Sequence, residues 1–488
     1  MMINVSIVIN VVGVILVLLG GLMLTAIPFS FYWNPEDTLP IIASAVTTFL
    51  VGIICWFLSR SKSKKIGKRE GFLIVGVGWI TIALFSALPY YFSSVIPEFT
   101  NCFFESVSGL TTTGASVIND IEAVPKDILY WRSLTQWIGG MGIIVLTVAL
   151  FPLLGIGGVE LFVAEAPGPT SDKIHPRIKE TAKRLWLIYV GLTAVLIILL
   201  KICGMTGFDA LNHGLTTMAT GGFSTKNASI AHFQNPAIHY VILLFMFIAG
   251  INYTIIYNSL KGNFKRAWRS DEFRTYLCLV VGLSIVVGII VNNVTNLGVE
   301  QSFRDAAFQV VSVITTTGFV SADYTSWTPI LTLIFFILLF VGASAGSTSG
   351  GIKIIRHIVI FKNSMLELKR LLHPKAIIRI KVDKKVVSPR IMTHVLVFLL
   401  LYLIIFVVGS MIMTVILADF DEPLLTAIGA TATSLGNVGP AIAELGPVHN
   451  FSEVPMVGKW VLILLMLLGR LELFTILIIM TPYFWRKN

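Results

Sequence analysis

Charge is scarce in this chain of 488 residues: Asp, Glu, Lys and Arg together make up 13%. Soluble domains carry roughly 25%. With so little polar surface a body of this length cannot stay in water. Hydrophobic residues reach 55% and mean hydropathy is +0.85, so the sequence predicts an integral membrane protein. Cysteine is scarce too. Cys55, Cys203 and Cys278 sit in apolar runs and only Cys102 lies in a polar-flanked loop, which excludes a disulfide framework. No zinc-type ligand cluster and no nucleophile elbow occurs, so the chain is not expected to be an enzyme. The first apolar run, about Val5 to Phe29, lacks a basic segment before it and is too long for a cleaved signal.

What is abundant is apolar sequence. A membrane-crossing helix needs about 20 apolar residues. Ten such runs are present, near 5–29, 39–58, 72–93, 130–154, 185–203, 237–258, 276–293, 328–357, 392–417 and 457–481. The net charge of +10 would suit a nucleic-acid partner, but the basic residues crowd short loops between the runs. Arg60, Lys62, Lys64, Lys65, Lys68 and Arg69 form one group. Nine Lys and Arg lie between Lys362 and Arg390, and further groups lie at Lys173–Arg184, Lys261–Arg274 and Arg486-Lys487. This is the pattern of cytoplasmic loops, with both termini cytoplasmic and no nucleic acid as partner.

Four loops on the opposite face share one plan: an apolar span, a short helix, a Thr/Gly-rich turn, a second span. The turns are Thr111-Thr112-Thr113-Gly114, Ala219-Thr220-Gly221-Gly222, Thr315-Thr316-Thr317-Gly318 and Gly436-Asn437-Val438-Gly439. Phe223 and Phe319 follow the aligned glycines of the second and third turns. Thirteen residues before each aligned glycine stand Asn101, Asp209, Asp305 and Thr426, all helix N-cap types. In the fourth loop Asp421 with Pro423 is a second possible helix start. Irregular backbone at membrane depth is tolerated where it lines a water-filled path. Successive inward carbonyls replace the water shell of a cation, and each short helix aims its negative end at the centre. The expected fold is therefore an all-α integral membrane protein. About ten transmembrane helices would form four pseudo-symmetric span–pore loop–span repeats around one central pore, plus an N-terminal helical hairpin. The boundaries are 1–70 for the hairpin, then 71–158, 159–262, 263–361 and 362–488. Each repeat has two spans, so all four share one orientation, unlike inverted-repeat transporters.

Three further features stand out. The eighth run is interrupted by Gly342-Ala-Ser-Ala-Gly346-Ser-Thr-Ser-Gly350-Gly351, too rich in small residues for a stiff helix; a flexible loop below the turns is expected. Its resemblance to a phosphate-binding loop fails, because Ile352 stands where a lysine should follow Gly351. Arg470 falls near the middle of the last run and should face the path, its alternative being an ion pair with Glu472. Glu105, His213 and Gln309 lie within the short helices and are expected to pack or hydrogen-bond behind the turns. Glu472 is the candidate carboxylate for a coupled carrier.

The four ordered turns resemble those of the superfamily of Trk, Ktr and HKT potassium transporters. The two extra N-terminal spans, the Gly-Asn-Val-Gly-Pro form of the fourth turn and the length resemble its Trk branch. The resemblance implies potassium as the transported ion, with no organic cofactor in this chain. It implies filter glycines at Gly114, Gly222, Gly318 and Gly439, where Gly114 favours potassium because sodium-selective plant relatives carry serine there. It implies an intramembrane gate at 342–351 with Gly342, Gly346, Gly350 and Gly351, and a basic gating residue at Arg470. It further implies a homodimer in the bacterial cytoplasmic membrane and a cytosolic nucleotide-binding (NAD or ATP) regulatory subunit. The expected function is channel-like potassium uptake; the alternative is a potassium symporter coupled to sodium or protons.

Overall fold

The computed structural model describes residues 3–59, 67–142, 178–373 and 379–486. The expectations for Arg60–Lys65, for the end of the fourth run and the 158/159 boundary, and for Lys173 and Lys487 lie outside the described residues. The protein is a largely helical, multi-pass membrane protein. Six described helices are long and apolar enough to cross a bilayer: Val5–Trp33, Pro35–Leu58, Arg69–Phe92, Ala182–Ile202, Asp271–Val294 and Pro389–Ile416. Their bounds lie within a few residues of six of the runs read from sequence. Val5–Met23 packs along Thr38–Leu58 as a hairpin. The approach is close because Gly13 and Gly52 face each other; a Cβ on either would meet the other helix's backbone at under 3.0 Å.

Two runs expected to be single spans are bent. Pro236–Ala249 and Tyr253–Leu260 meet at 106°, and Met456–Arg470 and Phe474–Met480 at 115°. At the first bend Asn252 caps the new helix, its side chain accepting from Thr254 N. The Gly250 carbonyl freed by the break accepts Ser344 N, and Tyr253 N donates to Gly346 O. At the second, Glu472 and Leu473 adopt φ of 53° and 59°, a conformation disfavoured for residues with a Cβ. Arg470 therefore ends a helix instead of lying within one. The eighth run breaks where its small residues predict: Pro329–Leu338 ends before 342, and helix resumes at Ile354. The two ends of the break pair as short parallel strands, Val341–Gly342 with Ile352–Lys353. A second two-residue pair joins Lys381–Val382 to Lys385–Val386 in an antiparallel hairpin. Neither pair was foreseen in an all-α fold.

Candidate functional site: a ring of four turns

Four short helices lead into the four turns: Phe99–Leu110, Gly207–Met218, Val299–Ile314 and Pro423–Gly436. At 1.5 Å per residue they span roughly 18–24 Å, less than a bilayer core. Their starts differ from the sequence expectation. The N-cap positions are Glu98, Thr206, Gly298 and Glu422. Asn101, Asp209, Asp305 and Thr426 lie inside the helices. Thr206 accepts from Asp209 N, so the second helix is capped three residues earlier than Asp209, and in the fourth Pro423 takes the first helical position, close to the second possible start at Asp421 with Pro423.

The four helices end alike. Thr112, Thr220, Thr316 and Asn437, each two residues before the aligned glycine, have φ of 54°, 53°, 54° and 55°. Their amides donate to Gly109, Thr217, Val313 and Ser434 carbonyls. The next amides, of Thr113, Gly221, Thr317 and Val438, donate back to Ser108, Thr216, Ser312 and Thr433. That double closure is the Schellman C-cap, usually built on glycine at the left-handed position. Here three β-branched threonines hold that conformation, a strain of order 1–3 kcal/mol each. The aligned glycines Gly114, Gly222, Gly318 and Gly439 then take φ of 84°, 76°, 78° and 105°. One backbone path is thus repeated four times in the register that the sequence gives.

The turns close into a ring. A Cβ on Gly114 would meet Gly221 O at under 3.0 Å. In the same way Gly222 abuts Thr317 O, Gly318 abuts Val438 O, and Gly439 abuts Thr113 O. Each turn therefore touches the next, and the fourth touches the first. The outer loops close the same circle. Ile121 N donates to Asn227 Oδ1 at 2.7 Å, Ala231 N to Val320 O, Tyr324 Oη to Ala441 O at 2.7 Å, and Phe451 N to Ser116 O. On this rim the hydrogen bond from Asn227 holds the Asp120 carboxyl below the usual carboxylate range. The turn threonines are fully buried and hydrogen-bond locally: Thr111 with Thr113 at 2.8 Å, Thr315 with Thr317 at 2.7 Å. Asn437 Nδ2 reaches Thr113 Oγ1 at 3.0 Å and Met466 O at 2.9 Å.

Behind the ring the short helices hold the chain leaving each turn. Glu105 accepts from Ser116 Oγ and Val117 N. His213 Nε2 pairs with Ser224 Oγ at 3.0 Å, and Gln309 Nε2 donates to Ser321 Oγ at 3.4 Å. The equivalent place in the fourth helix is Ala430, nine residues before its glycine as the others are before theirs.

The small-residue segment lies against the ring's other side. Gly350 N donates to Thr316 Oγ1 at 2.6 Å. Thr348 Oγ1 donates to Met218 O and Ala249 O, and a Cβ on Gly350 would strike Gly436 O. Glu272 Oε1 accepts Ala345 N at 2.7 Å. Lys353, buried, reaches back to Ser349. Arg470 joins the parts: its Nη1 donates to Thr112 Oγ1 and Thr348 O at 3.0 Å each, and its Nη2 to the Gly139 and Gly140 carbonyls. Glu472 is ion-paired to Arg356. Glu272 and the Glu105–Arg132 pair escaped the sequence reading. The only available signal was a carboxylate inside or at the head of an apolar segment, which says nothing of its partner.

The profile of the family TrkH, described as "Cation transport protein", matches residues 40–486. The Trk system potassium uptake protein TrkH of Salmonella typhimurium is 38% identical over 483 residues, covering 98% of this chain and 99% of that protein. Its counterpart in Vibrio parahaemolyticus is 39% identical over 486 residues, with the same coverage. The Escherichia coli protein TrkG is 33% identical over 488 residues, covering 99% of each chain. The crystal structure of the potassium transporter TrkH from Vibrio parahaemolyticus superposes with a TM-score of 0.88 at 36% identity, covering 99% of this chain and 100% of that one. The chain belongs to the TrkH family of cation transport proteins, and is a transporter, not an enzyme.

Proposed function

We propose that this chain takes up potassium across the bacterial cytoplasmic membrane through a filter built from residues 111–114, 219–222, 315–318 and 436–439. The observation that carries this reading is the closed ring of four turns with one repeated backbone path. Four chain segments of like conformation around one axis can offer a cation successive carbonyl shells in place of water. In this reading about ten spans form the N-terminal hairpin 1–70 and the four pseudo-symmetric units 71–158, 159–262, 263–361 and 362–488, with both termini cytoplasmic. The relatives' names supply the ion, since each is a Trk system potassium uptake protein.

The gate of this reading is the segment 342–351, hydrogen-bonded beneath the turns. Arg470 pins it to the first turn and puts a positive charge on the ion's way. Conduction is channel-like. The carboxylate suited to ion coupling, Glu472, is held by Arg356, which leaves a coupled symport without its best candidate. Two copies assemble as a homodimer, and a cytosolic nucleotide-binding subunit regulates the gate. The test is single-channel recording of the purified chain in a bilayer. Discrete potassium currents are expected; flux that needs a sodium or proton gradient would favour the symporter.

A further inference from the structure

One ion pair lies wholly inside the protein behind the ring, and only on one side of it among the described residues. Arg132 Nε donates to Glu105 Oε1 at 2.6 Å, with side chains 2% and 0% exposed. Glu105 also accepts Ser116 Oγ and Val117 N, the chain just leaving the first turn. Arg132 does not stop there. Its Nη1 donates to Ser224 O at 3.1 Å, and its guanidinium stacks 3.4 Å from the centre of the Phe223 ring. Both residues belong to the chain leaving the second turn. One helical turn further along Lys126–Gly140, on the same face, Gln136 straddles Gly222. It donates to Gly221 O at 2.5 Å and accepts Phe223 N at 3.1 Å. A Cβ on Gly114 would lie 3.9 Å from that same Gln136 amide nitrogen.

We infer that Glu105, Arg132 and Gln136 form a strut that sets the spacing of the second turn against the first, making them positioning residues for ion selection. The physical case rests on geometry. Gly221 O is the atom against which Gly114 packs, so the strut grips one of the four contacts that close the ring. An arginine suits the task because its planar fork serves the carboxylate and a carbonyl at once, which a lysine's point charge does not. A buried carboxylate–guanidinium pair is geometrically strict, since displacing either partner leaves a charge uncompensated. Among the described residues, none of the other three equivalent seats carries such an ion pair: His213 pairs with Ser224, Gln309 with Ser321, and the fourth seat is Ala430. Selection is thereby held more stiffly at the contact of turns one and two than at the others.

This inference rests on the filter reading, and its test separates the two. The full chain is purified and reconstituted, and the uptake of potassium, rubidium, caesium and sodium is measured at equal folded protein. Arg132→Lys keeps the buried charge opposite Glu105 but loses the planar fork that also reaches Ser224 O and stacks on Phe223. Its potassium-over-sodium preference is expected to fall about five- to ten-fold, the effect of one lost hydrogen bond. The double variant Glu105→Gln with Arg132→Met removes the whole pair without stranding a charge, and its preference is expected to fall further. Gly114→Ser is the control on the filter itself. An altered preference in Gly114→Ser with the parent's preference in Arg132→Lys overturns the strut alone. An unaltered preference in Gly114→Ser overturns the filter reading and the strut with it. A purely structural role would lower yield or melting temperature while leaving the ion ratios of folded protein unchanged.

Discussion

A side chain at Gly222 has no room: its Cβ would press on the Thr317 carbonyl, and the backbone there is left-handed. The same holds at Gly114, where the neighbour is Gly221 O. Serine at either position must push the adjoining turn outward, so the expected result is weaker discrimination of potassium from sodium, read from competitive flux. Arg470 makes a different prediction. Its hydrogen bonds run to Thr112 Oγ1 and to the carbonyls of Thr348, Gly139 and Gly140. Arg470→Ala releases the segment 342–351 from the first turn and removes a cation-repelling charge. Flux should rise, with potassium preference retained; tracer uptake at equal reconstituted amounts checks it. Glu105→Ala strands the Arg132 charge in the interior, so thermal stability in detergent should drop by the equivalent of about 3–5 kcal/mol.

The element that makes the strongest claim on its own is the break between Leu338 and Ile354. Its strands pair across the gap, and its interior is tied to the second and third turns through Thr348 and Gly350. Removing several residues of 342–351 should raise flux or open probability and leave ion preference intact, as measured in bilayers. A fall in flux with normal folding would make the segment structural. This break was legible in the sequence because ten consecutive small residues cannot stiffen a helix. The four turns were legible for a related reason: a left-handed position followed by an obligatory glycine leaves a short, repeated signature. The bends at 250–252 and 471–473 were not, since hydropathy is blind to a reversal of direction inside an apolar run. Asn252 was the available hint at the first, as a cap residue after a glycine. Glu472 at the second was the candidate carboxylate for a coupled carrier, or a partner for Arg470; the partner it meets is Arg356, 116 positions away, which hydropathy could not reveal. The caps were legible only in part. Asn101, Asp209, Asp305 and Thr426 have cap chemistry but lie inside their helices, which start earlier; in the fourth the start at Pro423 agrees with the alternative reading of Asp421 with Pro423.

For the molecule as a whole, the ring and its rim explain why four turns from distant parts of one chain can act together. Each is locked to the next at the glycines and again at the outer loops, from Asn227 round to Phe451. On the proposed channel-like reading, uptake is expected to need no energy source beyond the membrane potential. A potential of 100 mV is worth about 2.3 kcal/mol per unit charge, or about 50-fold accumulation. Any nucleotide effect should then be regulatory and act through a partner. The most direct test of the central claim is potassium influx into vesicles that contain only this purified chain, driven by an imposed potential with no ATP present. The account predicts potassium entry that excludes sodium in the parent and loses that exclusion in Gly114→Ser. Entry only on ATP hydrolysis, or one ion preference shared by parent and Gly114→Ser, would contradict it.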